Sequence, residues 1–237
     1  MFFEKETAEY KEIFKDEIDN FREAVDNALK KCVRFEYVSG GLELLEGYYS
    51  PNWALEHIVG GIKRGRLLKS KNPKAYTFKY GFDDDGKIIF RHSYYKENNT
   101  YLLYKYVDNV AYAIYGDCDD DGSYVMIRYF VKSVFDKENR ILEYLEYYIL
   151  DGDVSMLEGW LYDYQDDKVT VTMRHQFIEY LKRYKRYKMH SYDDPHEFIL
   201  DENGNMLYYT SADGRKFPMN PKALYPGKPE EVSGKQL

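Results

Sequence analysis

The sequence is poor in the motifs that identify common enzymes and membrane proteins. Its 237 residues include only two cysteines, Cys32 and Cys118, whose spacing forms no metal-binding pair. There is no G-x-S-x-G nucleophile motif and no glycine-rich phosphate loop. No stretch approaches the roughly 20 apolar residues of a membrane span, and the first residues lack a signal peptide's apolar run. These absences predict a cytoplasmic protein with free thiols, no membrane association and no cofactor.

Aromatic residues, by contrast, are abundant: 27 Tyr, 13 Phe and 2 Trp make up 18% of the chain. Tyrosine suits half-buried sheet positions because its ring packs while its hydroxyl reaches water. The formal net charge of −7 repels nucleic acid and anionic lipid at long range. The composition therefore favours a sheet-rich protein with a basic protein partner.

The hydrophobic period changes from helical to extended along the chain. Apolar residues at steps of three and four predict one amphipathic N-terminal helix, and Ser50-Pro51 predicts the start of a second. From about residue 75 the period is two, and turn signals rich in Asp, Asn and Gly separate the apolar segments. The stripe of the first helix comprises Tyr10, Phe14, Ile18, Phe21, Val25 and Leu29. We predict an α+β fold whose N-terminal helices pack on a predominantly antiparallel, meander-type sheet.

The same patterns divide the chain into three segments that form one domain. Residues 1–72 are the helical segment, and residues 73–216 are the antiparallel β-rich segment. Within the latter, Phe177 and Leu181 begin a helical spacing that predicts one basic helix near residues 176–190. Residues 217–237 contain four prolines and predict an extended tail.

Three short segments, residues 80–88, 134–141 and 198–206, share a local pattern. Each has an aromatic or apolar residue, Asp, two polar residues, Gly or Asn, and then a polar residue before an aliphatic one. This pattern resembles the hairpin unit of YD-type repeats, and it is similar to units in bacterial immunity proteins that neutralise secreted toxins. The resemblance covers only these segments and departs from both families in spacing. It implies a binding role and transfers no functional residue.

The acidic turns are where we predict that a basic partner binds. Carboxylates speed encounter with a cationic target, and rigid aromatic rings provide contact area at low entropic cost. The residues predicted to bind the partner are Asp83, Asp84, Asp119, Asp120 and Tyr124.

One of these turns also carries a calcium-like motif. Asp117, Asp119 and Asp121 alternate before Gly122, as in the D-x-D-x-D-G start of a calcium loop. The twelfth position should then supply a bidentate Glu, but it is Arg128, and the flanking residues are predicted to be strands. The interpretations are an acidic hairpin turn, which is the simpler one, and a calcium site outside the EF-hand family.

The function that we predict is non-catalytic binding, as an intracellular inhibitor or immunity protein that neutralises a basic toxin or nuclease. The alternative is an enzyme or a nucleic-acid-associated protein. It would use His190 and His196, and it would use the basic segment 180–188 to stack bases and hold phosphates. The nucleic-acid-binding residues of this alternative are Tyr180, Arg183, Tyr184 and Arg186.

Overall fold

The computed structural model describes residues 3–41, 44–53, 55–56, 62–71, 73–95, 98–119, 125–181, 186–200, 206–210 and 216–218. The helices are α1 (Glu4–Ile13), α2 (Lys15–Asp19) and α3 (Phe21–Lys31), with a 3-10 helix at Gly47–Tyr49. The strands are β1 (Arg34–Ser39), β2 (Arg66–Leu67), β3 (Phe78–Phe82), β4 (Ile88–Tyr95), β5 (Asn98–Val107), β6 (Val110–Cys118), β7 (Val125–Phe135), β8 (Ile141–Leu150), β9 (Asp153–Tyr164), β10 (Lys168–Leu181), β11 (Arg186–Leu200), β12 (Met206–Thr210) and β13 (Lys216–Pro218).

Within the described residues these strands form one antiparallel sheet. From β3 to β13 each strand pairs with the next in sequence, while β1 lies between β3 and β2. The predicted meander is therefore confirmed, and the protein is mainly sheet, with α1 to α3 confined to its first 31 residues. No helix in the described ranges is long and apolar enough to cross a membrane.

The turns between strands follow the chemistry of the sequence. Asn139, Asp151 and Gly152 adopt positive φ, which Gly tolerates freely and Asn and Asp tolerate better than other residues. The sequence did not predict the tight turn between β5 and β6, where Asp108 also has a positive φ. At the C-terminal end the predicted tail begins too early, because Phe217 and Pro218 belong to β13 and pair with β12.

The N-terminal segment forms three short helices where the sequence predicted one. Its apolar stripe is confirmed, since Tyr10, Phe14, Phe21 and Val25 are buried against the sheet. The chain leaves helical geometry at Phe14 (φ −111°) and Asn20 (φ −138°). Strand twist makes a sheet surface curved, and short helices follow such a surface where one straight helix would not.

Polar contacts also attach these helices to the sheet. Thr7 Oγ1 accepts a hydrogen bond from the Val154 amide at 3.0 Å. Lys105 Nζ donates to the Ile13 carbonyl and to Glu17 Oε2, both at 2.7 Å. These helices therefore cover one face of the sheet over the strands that they contact.

The opposite face is covered by residues 44–53 with Leu55 and Glu56, which we call the covering segment. Tyr80 Oη donates to the Glu46 carbonyl at 2.9 Å, Arg91 donates to the Leu45 carbonyl, and Tyr162 Oη donates to Asn52 Oδ1. Of the helix predicted from Ser50-Pro51, residues 53, 55 and 56 are helical and residues 57–61 lie outside the described ranges.

The basic helix predicted near residues 176–190 is wrong. Gln176 to Leu181 continue β10, and Arg186 to Ser191 belong to β11, with Phe177 opposite His190. The apolar residues of this segment fit the extended period of two as well as the helical period of 3.6. The pairing of β9 with β10 continues through Phe177. Tertiary pairing decides between the two periods in such a segment. Beyond Phe177, β10 and β11 pair only with each other as far as the described residues show. We call the β10–β11 pair from His175 and Tyr192 to Leu181 and Arg186 the ribbon.

Candidate functional site

A cavity of about 790 Å³ lies between the covering segment and the sheet. Its floor is formed by side chains from β3 to β9, and the covering segment contributes Leu44, Leu45, Ser50 and Glu56. The volume falls in the range of ligand-binding sites, about 300–1,000 Å³. The lining is mixed, with aromatic rings, carboxylates and two arginines.

Three glutamates converge on this cavity. Glu146 of β8 lies directly opposite Glu158 of β9 in the strand register, and Glu56 approaches from the covering segment. Side chains opposite each other in an antiparallel pair have Cβ atoms only about 4.5–5.5 Å apart. Tyr148 Oη donates to Glu158 Oε2 at 3.1 Å, and His175 Nδ1 lies 3.1 Å from Glu158 Oε1.

Burial and mutual repulsion perturb these carboxyl groups. Burial raises the pKa of Glu146 to about 8, and the negative charges of Glu56, Glu158 and Glu46 act in the same direction. Burial, followed by the charge of Glu158, raises the pKa of Glu56. Burial also raises the pKa of Glu46 to about 8, although the charge of Arg91 opposes the shift. The site therefore retains protons at neutral pH that isolated glutamates would release.

Aromatic rings form the walls beside the glutamates. Tyr115, Tyr129 and Tyr148 stand in a row on three neighbouring strands, with ring centroids 5.4 Å and 4.5 Å apart. Tyr144 and Trp160 form a second pair at 5.6 Å, next to Glu146 and Glu158 in the β8–β9 register. Such faces attract cations through their quadrupoles.

Two arginines complete the lining. Arg128 Nε is paired with Asp117 Oδ2. Arg91 is only 2% exposed, and its guanidinium lies 5.1 Å from the centroid of Phe78. Its Nε is buried and has no hydrogen-bond partner within the part of the chain that the structure describes. A buried unsatisfied donor is rare and disfavoured, so it marks a place where a ligand acceptor would be stabilised.

A partly exposed aromatic patch adjoins the cavity on the same face. His175, which contacts Glu158, is followed on β10 by Phe177, whose ring stacks on His190 at 4.9 Å. Tyr192 lies 6.1 Å from Phe177 and is 56% exposed. We call these four side chains the ribbon patch.

The predicted partner-binding residues that the structure describes are not among those lining the cavity. Asp83 Oδ1 accepts a hydrogen bond from the Lys87 amide at 2.8 Å, which is ordinary turn capping, and Asp84 is exposed beside it. The carboxylates of Asp83, Asp84 and Asp85 lie within 4.8 Å of one another. Asp119 is exposed after β6. Asp120 and Tyr124 lie outside the described residues.

The calcium interpretation meets a specific obstacle at Asp117. Its carboxylate is buried and paired with Arg128, the residue that occupies the twelfth position of the motif. The strands β6 and β7 flank the turn, where an EF-hand has helices. Asp121 lies outside the described residues, so calcium binding stays a prediction.

The residues of the alternative function lie in β10, β11 and the segment that joins them. Tyr180 and Arg186 lie in the strands of the ribbon, and Arg183 and Tyr184 fall outside the described residues. His190 Nε2 lies 2.6 Å from Glu179 Oε2, whereas His196 Nε2 lies 3.2 Å from Asp194 Oδ2. Six residues of one strand separate the two imidazoles by about 20 Å. They therefore do not share one site.

The cavity glutamates were missed by sequence reasoning, although a signal exists. Glu146 stands between Tyr144 and Tyr148, and Glu158 precedes Trp160 by two residues. Residues two apart in a strand share a face. A glutamate two residues away from a buried aromatic residue in a strand is the pattern that could have identified the site.

Comparison with known proteins adds no relative from which a function could be taken. No protein-family model, no curated protein and no solved structure matches the chain. The functional conclusion therefore rests on the geometry of the cavity and the adjoining ribbon patch.

Proposed function

We propose that the protein is a non-catalytic binding protein for a basic protein partner, which it holds through the cavity and the ribbon patch. The observation that carries this proposal is the convergence of Glu56, Glu146 and Glu158 among aromatic rings. Like charges so close together are relieved either by protons or by a cation. A positively charged side chain of a partner would provide such a cation.

A protein partner fits this surface better than a small cation does. The cavity is far larger than a single ion requires, and the partly exposed rings of the ribbon patch continue it along β10 and β11. Aromatic residues in desolvated pockets dominate the binding energy of protein interfaces. The chain's net charge of −7 adds long-range attraction for a basic surface.

Within this class, an inhibitor or immunity protein for a basic toxin or nuclease is the role that the features support. The carboxylates and rings of the cavity would block the basic active surface of the toxin or nuclease. The unbonded thiols of Cys32 and Cys118 are compatible with the reducing cytoplasm that we infer as its location. The acidic turns at Asp83, Asp84 and Asp119 would then act by steering the approach.

The test is capture of a partner from the protein's own cells with three matched baits: the wild type, Glu158→Gln and Asp151→Asn. Each variant removes one carboxylate. Asp151 lies in the exposed β8–β9 turn away from the cavity, and Asn tolerates its positive φ of 52°. We expect one stoichiometric basic protein that binds the wild type and Asp151→Asn equally and Glu158→Gln about tenfold more weakly.

A partner retained equally by all three baits, and lost instead on Asp84→Lys, would move the interface to the acidic turns. Recovery of RNA, or of no basic protein, would contradict the proposed function. Thermal unfolding of each bait shows whether a loss of binding reflects a loss of fold.

A second candidate function rests on the Glu146–Glu158 pair itself. Two neighbouring carboxyl groups in different environments are the arrangement that serves acid–base hydrolysis, with one group donating a proton and the other acting as carboxylate. Burial keeps Glu146 protonated near neutral pH, as a proton donor requires. A screen of aryl glycosides tests it: hydrolysis by the wild type that Glu146→Gln and Glu158→Gln both abolish would favour catalysis over binding.

A further inference from the structure

Resting on the proposed function, we propose that the cavity recognises one arginine side chain of the basic partner, with its guanidinium held between Glu146 and Glu158. The two glutamates lie opposite each other on adjacent strands, and both line the cavity. A guanidinium is planar and carries five N–H donors in a fixed fork, so one group can serve two carboxylates. An ammonium offers a compact point charge without this geometry.

The aromatic walls favour the same group. Tyr144 and Trp160 flank the glutamate pair, and a guanidinium stacks on ring faces more readily than a strongly hydrated ammonium. The protein already holds its own arginines in this way. The guanidinium of Arg34 lies 3.7 Å from the ring centroid of Phe82, and that of Arg140 lies 4.6 Å from that of Tyr164.

Arg91 favours a ligand that carries a hydrogen-bond acceptor as well as a charge, as a polypeptide does. Its buried Nε lacks a hydrogen-bond partner among the described residues, and it needs an acceptor. A main-chain carbonyl next to the entering arginine is such an acceptor, whereas a bare metal ion or a simple amine carries none. The volume of about 790 Å³ accommodates the side chain together with neighbouring residues of its segment.

Entry of a cation is coupled to the release of a proton from Glu146. Titratable and charged groups surround this carboxyl from its own strand, from β7, β9 and β10, and from the covering segment. They are Tyr144, Tyr148, Tyr129, Arg128, Glu158, His175, Glu46 and Glu56. The glutamates among them reinforce burial in raising the pKa of Glu146 to about 8, and a bound guanidinium would lower it.

The sign of the resulting pH dependence follows from linkage. Below pH 8 the free protein holds the proton and the complex does not, so binding releases it and the affinity rises with pH. The rise approaches tenfold per pH unit for one full proton, and it levels off above the pKa of the free carboxyl. Attraction between surface charges alone would leave the affinity nearly constant between neutral pH and pH 8.

Isothermal titration calorimetry with the full chain tests the inference. The probe is the capped tripeptide N-acetyl-Gly-Arg-Gly-amide, and matched peptides carry lysine or the neutral isostere citrulline in its place. Ethylguanidinium, which carries the same charged group and no hydrogen-bond acceptor, is the fourth ligand. Titration at pH 7 in two buffers of different ionisation enthalpy gives the number of protons released.

We expect the arginine peptide to bind at least tenfold more tightly than the lysine peptide and than ethylguanidinium, with no detectable binding of the citrulline peptide. About one proton should be released by the wild type and by Asp151→Asn. Glu146→Gln should bind without releasing it, and Glu158→Gln should lose most of the affinity. Amide substitutions of this kind preserve shape, and unfolding curves verify the fold.

Each of the other outcomes would contradict one part of the inference. Equal affinity for the lysine peptide would contradict the guanidinium preference, and binding of the citrulline peptide would contradict the need for charge. Equal affinity for ethylguanidinium would show that the peptide carbonyls contribute nothing. If no peptide binds while capture of the basic partner still depends on Glu158, this inference fails and the proposed function stands. If capture is also indifferent to Glu158, both fail.

Discussion

Glu146 lies opposite Glu158 because a β-bulge at Tyr148 and Ile149 shifts the β8–β9 register by one residue. Near the turn Leu150 pairs with Asp153, and an uninterrupted ladder from that pair would place Glu146 opposite Leu157. Side chains alternate between faces, so the same ladder would direct Glu158 to the helix-covered face. The bulge therefore creates the carboxylate pair, as bulges near functional sites often redirect a side chain.

The buried carboxyl groups predict that stability falls as pH rises. The folded-state pKa of Glu146 is raised from an ordinary 4.5 to about 8, so the folded protein binds its proton more tightly than the unfolded chain does. The stabilisation is complete below pH 4.5 and is lost progressively as pH rises to about 8. Between pH 6 and pH 8.5 we expect Glu146→Gln to lose less unfolding free energy than the wild type, by about 1 to 3 kcal/mol.

Urea denaturation at the two pH values measures this difference. Asp151→Asn, which removes an exposed carboxylate, should retain the wild-type dependence. If the free energy of unfolding changes equally with pH in the wild type and in Glu146→Gln, Glu146 titrates normally in the folded protein.

The covering segment should depend on the contact between Asn52 and Tyr162. Asn52 is fully buried; its Oδ1 accepts from Tyr162 Oη and its Nδ2 donates to Glu56 Oε1 at 3.0 Å. Asn52→Ala leaves the tyrosine hydroxyl unsatisfied, and we expect about 1 to 3 kcal/mol of destabilisation. A double-mutant cycle with Tyr162→Phe, measured by denaturation, should give a coupling of about 1 kcal/mol. A coupling near zero would show that the two side chains act independently.

Part of this architecture follows from local sequence. Alternation at Phe78, Tyr80 and Phe82 gives β3, and the Asp151-Gly152 dipeptide gives a turn because both residues accept positive φ. The ribbon could not be predicted in the same way, because Phe177 and Leu181 satisfy the helical period as well as the extended one. The strand that pairs with the segment decides its conformation.

The cavity depends on still longer-range information. Glu146 and Glu158 are twelve residues apart and become neighbours through a register that a single bulge sets. Glu56 reaches them from the covering segment, which lies on the face of the sheet away from the helices. Alternation groups each glutamate with the aromatic residues of its own strand, but no local signal supplies the register that brings the two strands' glutamates together.

The centre of the helix-covered face should tolerate truncation poorly. Phe130 is fully buried, and its ring centroid lies 5.3 Å from that of Tyr147, 5.7 Å from that of Tyr10 and 5.8 Å from that of Tyr112. We expect Phe130→Ala to lower the free energy of unfolding by about 3–5 kcal/mol, measured by urea denaturation. Val107→Ala, at a residue that is 51% exposed, should change it by less than about 0.5 kcal/mol.

The ribbon offers a direct test of extended against helical structure. Gln176 and Ser191 are cross-strand partners, and Gln176 Nε2 donates to Ser191 Oγ at 3.1 Å. In one continuous helix the same residues would be about 22 Å apart. Cysteines placed at both positions should therefore form a disulfide on mild oxidation, since cross-strand Cα atoms lie about 4.5–5.5 Å apart, within disulfide range.

Interference from the native thiols is limited, because burial raises the pKa of Cys32 to about 11 and Cys118 is buried. The matched control is Gln176→Cys with His190→Cys, whose side chains point to opposite faces. Thiol titration and peptide mapping should find the cross-link in the 176–191 pair and not in the 176–190 pair. Equal cross-linking of both pairs would indicate that the ribbon lacks a fixed register, and the ribbon patch beside the cavity would then not be a preformed surface.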